Sequence, residues 1–125
     1  MKALIICAAF LVSSSALAAG SGCKEQPEVT GKCWDGHGRL WLTGDNGVML
    51  ATDKSKQRGY RGYAVVGEHD MPTTLYGIFK HDLLAGVDGK FEVCPLQGKD
   101  RFGDPQICIE SASDIVVTPG RDNRP

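Results

Sequence analysis

The chain has 125 residues, with 14 Lys and Arg set against 15 Asp and Glu and a formal net charge of −1. That balance gives no general attraction to nucleic acid or to an anionic membrane surface, so any electrostatic function must be local. Five cysteines and 16 glycines in so short a chain point to a turn-rich fold held by disulfides.

The first twenty residues read MKALIICAAFLVSSSALAAG, with one cation at Lys2, an apolar run from Ala3 to Val12 and Ala16-Leu17-Ala18 as a small-residue cleavage site. This pattern predicts a signal peptide over 1–18 and export to the periplasm or medium. The run is far shorter than the roughly 20 apolar residues a membrane helix needs, and no later segment approaches that length. The remainder, 19–125, is the size of one domain. Cys7 leaves with the signal, so Cys23, Cys33, Cys94 and Cys108 remain, an even set that reads as two disulfides with three possible connectivities. Acylation of Cys23 would strand an odd thiol, and Gly20-Ser21-Gly22 lacks the apolar residue such processing expects.

Residues 19–38 are rich in Gly, Pro and polar side chains and predict an irregular arm stapled to the domain, which occupies 39–118. Arg39 to Thr43 and Val48 to Ala51 flank Gly44-Asp45-Asn46-Gly47, a strong hairpin signal, with Leu40 and Leu42 on one face and Trp41 on the other. Thr52 to Gly62 reads as a basic loop. Tyr63 to Gly67 and Thr73 to Phe79 read as strands, and Lys80 to Ala85 as one helical turn.

Phe91 and Val93 then alternate with polar residues, as do Ile107 and Ile109. With Cys94 opposite Cys108, Val93 falls opposite Ile109 and Glu92 opposite Glu110, leaving one face wholly apolar. Directly opposed residues lie within disulfide range. The expected bridges are therefore Cys94 to Cys108 and, by elimination, Cys23 to Cys33. Asp114 to Thr118 reads as a last strand, and 119–125 as a flexible polar tail.

Six or seven short antiparallel strands with at most one short helical turn predict an all-β fold, a small disulfide-bonded barrel or a sandwich. Leu40, Leu42, Val65, Phe91, Val93, Ile107 and Ile109 are the expected interior. The layout loosely resembles an oligonucleotide/oligosaccharide-binding (OB) barrel, although no motif of that fold is present.

Two surface stretches stand out. Pro95 to Pro105 offers Lys99, Asp100, Arg101 and Phe102 on a loop bounded by prolines, and Arg and Phe are types enriched in interface cores. Lys54, Lys56, Arg58 and Arg61 interleave with Tyr60 and Tyr63, a composition suited to an anionic glycan or headgroup. His37, His69 and His81 each lie near an acid, but at no recognised ligand spacing, so no metal or cofactor is expected. Glu92 and Glu110, if opposed, need a cation between them, for which Lys90 is the simplest candidate. Ser111 and Ser113 lie in no nucleophile motif, and the cysteines are expected to be oxidised.

The expectation is a non-enzymatic protein-binding module, an inhibitor, immunity or accessory factor acting on a partner in the envelope or medium through the loop from Leu96 to Asp104. A binder of anionic polysaccharide or lipid headgroup through the basic loop is the alternative. A minor hydrolase, which requires the three histidine segments to converge, is the third reading.

Overall fold

Alternation along the chain produces five strands among the described residues, which in the computed structural model of the protein are 20–43 and 47–120. They are β1 Trp34–Leu42, β2 Val48–Thr52, β3 Tyr63–Val65, β4 Gly86–Lys99 and β5 Pro105–Thr118. The strands close into a barrel in the order β1-β2-β3-β5-β4, with β4 returning to β1. Every pairing is antiparallel except β3 with β5, which meet in parallel at Ala64 and Gln106. A helix lies between the third and fourth strands. The result is the small all-β barrel expected from the sequence rather than a sandwich.

The inward positions are those the alternation selects. Leu40, Val65, Phe91, Val93, Ile107 and Ile109 are buried together with Leu50, Tyr63 and Val87, while Leu42 packs half-buried at the margin. Helix α2 (Thr73–His81) brings Leu75 and Phe79 onto the same core. The expected strand from Thr73 to Phe79 is thus a helix. Leu75, Ile78 and Phe79 all meet this core; a pleat would turn Ile78 away from the other two, whereas these i, i+3 and i+4 positions share one face of a helix. Its β-prone residue types yield to that packing. The helix absorbs Lys80 and His81 and ends before Asp82.

The basic stretch also folds. Thr52 caps a short helix α1 (Asp53–Gln57), its hydroxyl accepting from the Ser55 amide while the Ser55 hydroxyl oxygen accepts from the Thr52 amide. Two expected strands merge as well. The segment from Asp114 to Thr118 continues β5 through a bend at Asp114, whose φ of 53° lies in the left-handed region. The first residues of the expected tail are held too, the Gly120 amide donating to Asp82 Oδ2 over 2.9 Å. Residues 121–125, the expected signal 1–18 and the turn 44–46 lie outside the described residues.

The β4–β5 register agrees with the sequence at Val93↔Ile109 and Cys94↔Cys108 but shifts at a bulge, so that Glu92 faces Ser111 rather than Glu110. The bridges differ from the expected ones. Cys23 bonds Cys108 and Cys33 bonds Cys94. Cys94 and Cys108 do stand side by side, yet they point away from the barrel interior, and the arm crosses that outer face carrying one cysteine for each. Opposition in a ladder does not decide pairing when two further sulfurs lie within reach. The bridges span 85 and 61 residues. Loops that long are worth about 4 to 5 kcal/mol each in the chain-entropy treatment, against about 3 kcal/mol for the short loops first expected.

Candidate functional site

Strands β4 and β5 run further than their alternation indicates, so the loop between the prolines shrinks to a tight tip, Asp100 to Asp104, above the pair Lys99↔Pro105. One side chain organises it. Asp100 Oδ1 accepts from the amides of Phe102 (3.0 Å) and Asp104 (2.9 Å), while the Asp100 amide donates to the Asp104 carbonyl over 2.9 Å. This is the local bonding that favours Asp in turns. Gly103, with φ 87°, supplies the left-handed step that a side chain would oppose.

The tip is braced from outside by Arg61. Its Nη2 lies 2.9 Å and its Nε 3.2 Å from Oδ2 of Asp104, a buried carboxylate, and Nη2 lies 4.0 Å from Asp100. The same guanidinium stands 5.2 Å from the centroid of the Phe102 ring, and that of Arg101 stands 5.0 Å from it. Both distances are within cation–π range. Phe102 itself is 57% exposed. Below the tip, a groove of about 400 Å³ runs across the outer face of β2 and β3, floored by Met49 and Ala64 and walled by Lys99 and Arg101.

The two surface stretches expected to act separately therefore meet. Arg61, from the basic segment, belongs to the hairpin tip. The other members scatter. Lys54 lies 4.4 Å over the ring of Trp34, which itself contacts Tyr63 edge-on at 5.4 Å. Tyr63 is buried, and burial pushes its phenol pKa up. Tyr60 packs edge-on against it at 6.1 Å. Lys54 and Lys56 line two neighbouring grooves on the outer face of β1 that meet at His37, Thr52 and Asp53. Arg58 ends α1 and is exposed.

The remaining candidates are dispersed. His37 lies on β1, His69 in the 3-10 turn Glu68–Asp70 and His81 at the end of α2. Among the described residues, the His, Cys, Asp and Glu groups close enough to share an ion form one cluster, the sulfurs of Cys23, Cys94 and Cys108, and all three are tied up in disulfides. The bulge separates Glu92 from Glu110. Glu92 takes the ammonium of Lys24 at 2.9 Å, and this hydrogen bond, with the carboxylate charge, holds the Lys24 pKa above its ordinary value. Glu110 turns to the arm and accepts from the Lys24 amide at 2.9 Å. Lys24, not Lys90, is the cation that relieves the acids.

What the sequence did not indicate is the pairing of Arg61 with Asp104. Only their opposite charge hints at it, and 43 positions separate them. The site and fold together define a class: a small disulfide-bonded barrel presenting a braced cationic and aromatic hairpin tip. Comparison with family models, with characterised proteins and with solved structures finds no match for the chain.

Proposed function

We propose that the protein is a non-enzymatic binding module that engages a protein partner through the β4–β5 tip, outside the reducing cytoplasm. The observation that carries the reading is Phe102, an exposed ring between two guanidinium groups on a turn fixed by Asp100 and Arg61. A pre-formed tip loses little entropy on binding, and an aromatic with arginine neighbours is the composition of interface hot spots. Two disulfides fit an oxidising compartment, and no helix among the described residues is long and apolar enough to cross a membrane.

The alternative, an anionic polysaccharide or lipid headgroup held by Lys54, Lys56 and Arg58, has less in its favour. Tyr63 is buried, and Asp35, Asp53 and Asp88 stand among the cations of the β1 grooves. Pull-down with the mature protein from its own envelope or medium, repeated with Arg101→Ala and Phe102→Ala, separates the two. Each substitution should weaken capture by roughly 30-fold or more, the hot-spot level of about 2 kcal/mol, with thermal stability unchanged. Capture that survives both but vanishes in the triple replacement of Lys54, Lys56 and Arg58 sinks the protein-binding reading and promotes the alternative.

A further inference from the structure

Cys94 and Cys108 are direct partners across the ladder, yet each is bonded to the arm rather than to the other. The sulfurs of Cys23, Cys94 and Cys108 all lie within 4.8 Å of one another, and all three residues are fully buried. Cys33 is the remaining cysteine and is half-buried, so it is the sulfur that a solvent thiol reaches first. The geometry points to a thiol–disulfide exchange site, with Cys33 as its entrance, that takes a dithiol as co-reactant and releases the N-terminal arm.

The chemistry balances as follows. A thiolate of the dithiol attacks Cys33 Sγ, and the Cys33–Cys94 bond breaks with its electron pair on Cys94. The second thiol of the dithiol displaces Cys33, which leaves protonated, and the dithiol departs oxidised. Cys94 thiolate then attacks Cys108 Sγ; the Cys108–Cys23 bond breaks, and Cys23 takes the proton. Two electrons have entered. The product holds one disulfide, Cys94–Cys108, and two thiols, Cys23 and Cys33.

Two features direct the second attack to Cys108 rather than Cys23. The ladder fixes Cys94 and Cys108 from both sides, through Val93↔Ile109 and Pro95↔Ile107, so their bond needs side-chain rotation alone. The leaving group sits on an arm whose other ties are noncovalent, among them a bridge of Val29 to Leu96 and a hydrogen bond from the Gly22 amide to Glu110. Ser21 donates to the carbonyls of Ile109 and Glu110, Lys24 reaches Glu92 and Glu110, and Thr30 donates to Pro95. Freeing the arm returns to its residues the backbone entropy lost when they were ordered against the barrel.

The test uses the intact oxidised protein with one equivalent of dithiothreitol, an acid quench, N-ethylmaleimide labelling and non-reducing peptide mapping. The expected product carries label on Cys23 and Cys33 and a Cys94–Cys108 linked peptide. Label on Cys33 and Cys94 with Cys23–Cys108 intact, or on Cys33 and Cys108 with a Cys23–Cys94 peptide, overturns the proposal. So does a starting protein already linked Cys94–Cys108. The variant Cys33→Ser supplies the same thiol without reductant, and it should relax to Cys94–Cys108 with Cys23 labelled. Tryptic cleavage after Lys24 and Lys32 should rise at least tenfold in the exchanged form, whereas an unchanged rate shows that the arm stays bound and counts against the proposal.

Discussion

Two levels of the β4–β5 hairpin are built on different physics. Partway along both strands, at the root of the tip around Cys94 and Cys108, the arm is fastened by two covalent bonds that join three fully buried cysteines and the half-buried Cys33. At its tip, around Asp100 to Asp104, order comes from amide-to-carboxylate hydrogen bonds and one half-exposed guanidinium, while Phe102 is left in water. The root is therefore where stability resides, and on the binding reading proposed above the tip is where a surface is held ready. The comparison predicts that substitutions should separate, with large stability effects at the root and large binding effects at the tip.

The largest stability effect should come from removing a bridge. Replacing Cys23 and Cys108 together with Ala, which avoids an odd thiol, should lower unfolding free energy by about 4 to 5 kcal/mol in denaturant titration. A loss near 1 kcal/mol would mean that the noncovalent ties of the arm suffice and that the root is no stronger than the tip. Next is Ile109→Ala, at the inner face beside the same cysteines, expected to cost about 2 to 5 kcal/mol. A change of less than about 0.5 kcal/mol, the level of surface positions, would reverse the assignment of faces.

The tip contributes smaller terms. Arg61→Ala leaves the buried Asp104 carboxylate without its cation, and since Arg61 is itself half-exposed, water can partly replace it; about 1 to 3 kcal/mol is expected. Phe102→Ala should change stability by no more than about 0.5 kcal/mol. If Phe102→Ala destabilises more than Arg61→Ala, the ring is a packing element and the contrast between root and tip fails.

How much of this the sequence carried depends on the range of each signal. Alternation at Phe91, Val93, Ile107 and Ile109 is local and repeats, so the inner face and the opposition of Cys94 to Cys108 could be read directly. The identity of the bonded sulfurs depends on where the arm crosses, which no residue near Cys23 or Cys33 encodes. In Thr73 to Phe79, burial of Leu75 and Phe79 alone would suit either a two-residue or a 3.6-residue period, and it is the packing of Ile78 on the same core that decides for the helix. At the tip, the Pro and Gly boundaries made Arg101 and Phe102 visible. Arg61 was visible only as a member of the basic run, because a charge pair across 43 positions leaves no pattern in either segment.

The smallest expected effect lies at the other end of β5, where the chain is anchored as the tip is, by one carboxylate and two amides. Asp82 accepts from Gly120 through Oδ2 at 2.9 Å and from Leu84 through Oδ1 at 3.1 Å. Those two amides, first that of Gly120, hold its carboxyl below the ordinary Asp pKa, with a minor contribution from the charge of His81. A depressed folded-state value means that the ionised form stabilises this contact. Its contribution is complete above the unfolded value of about 3.9 and is lost as pH falls through the folded one. The amide shifts of Gly120 and Leu84 followed by NMR should therefore move together with a midpoint below about 3.9, while those of Cys94 and Cys108, at the covalent root, stay still. Asp82→Ala should abolish the transition at both amides. A midpoint at or above the ordinary value would mean that the carboxylate does not hold Gly120, and joint movement of the root amides would show that acid acts on the whole barrel rather than on its hydrogen-bonded end.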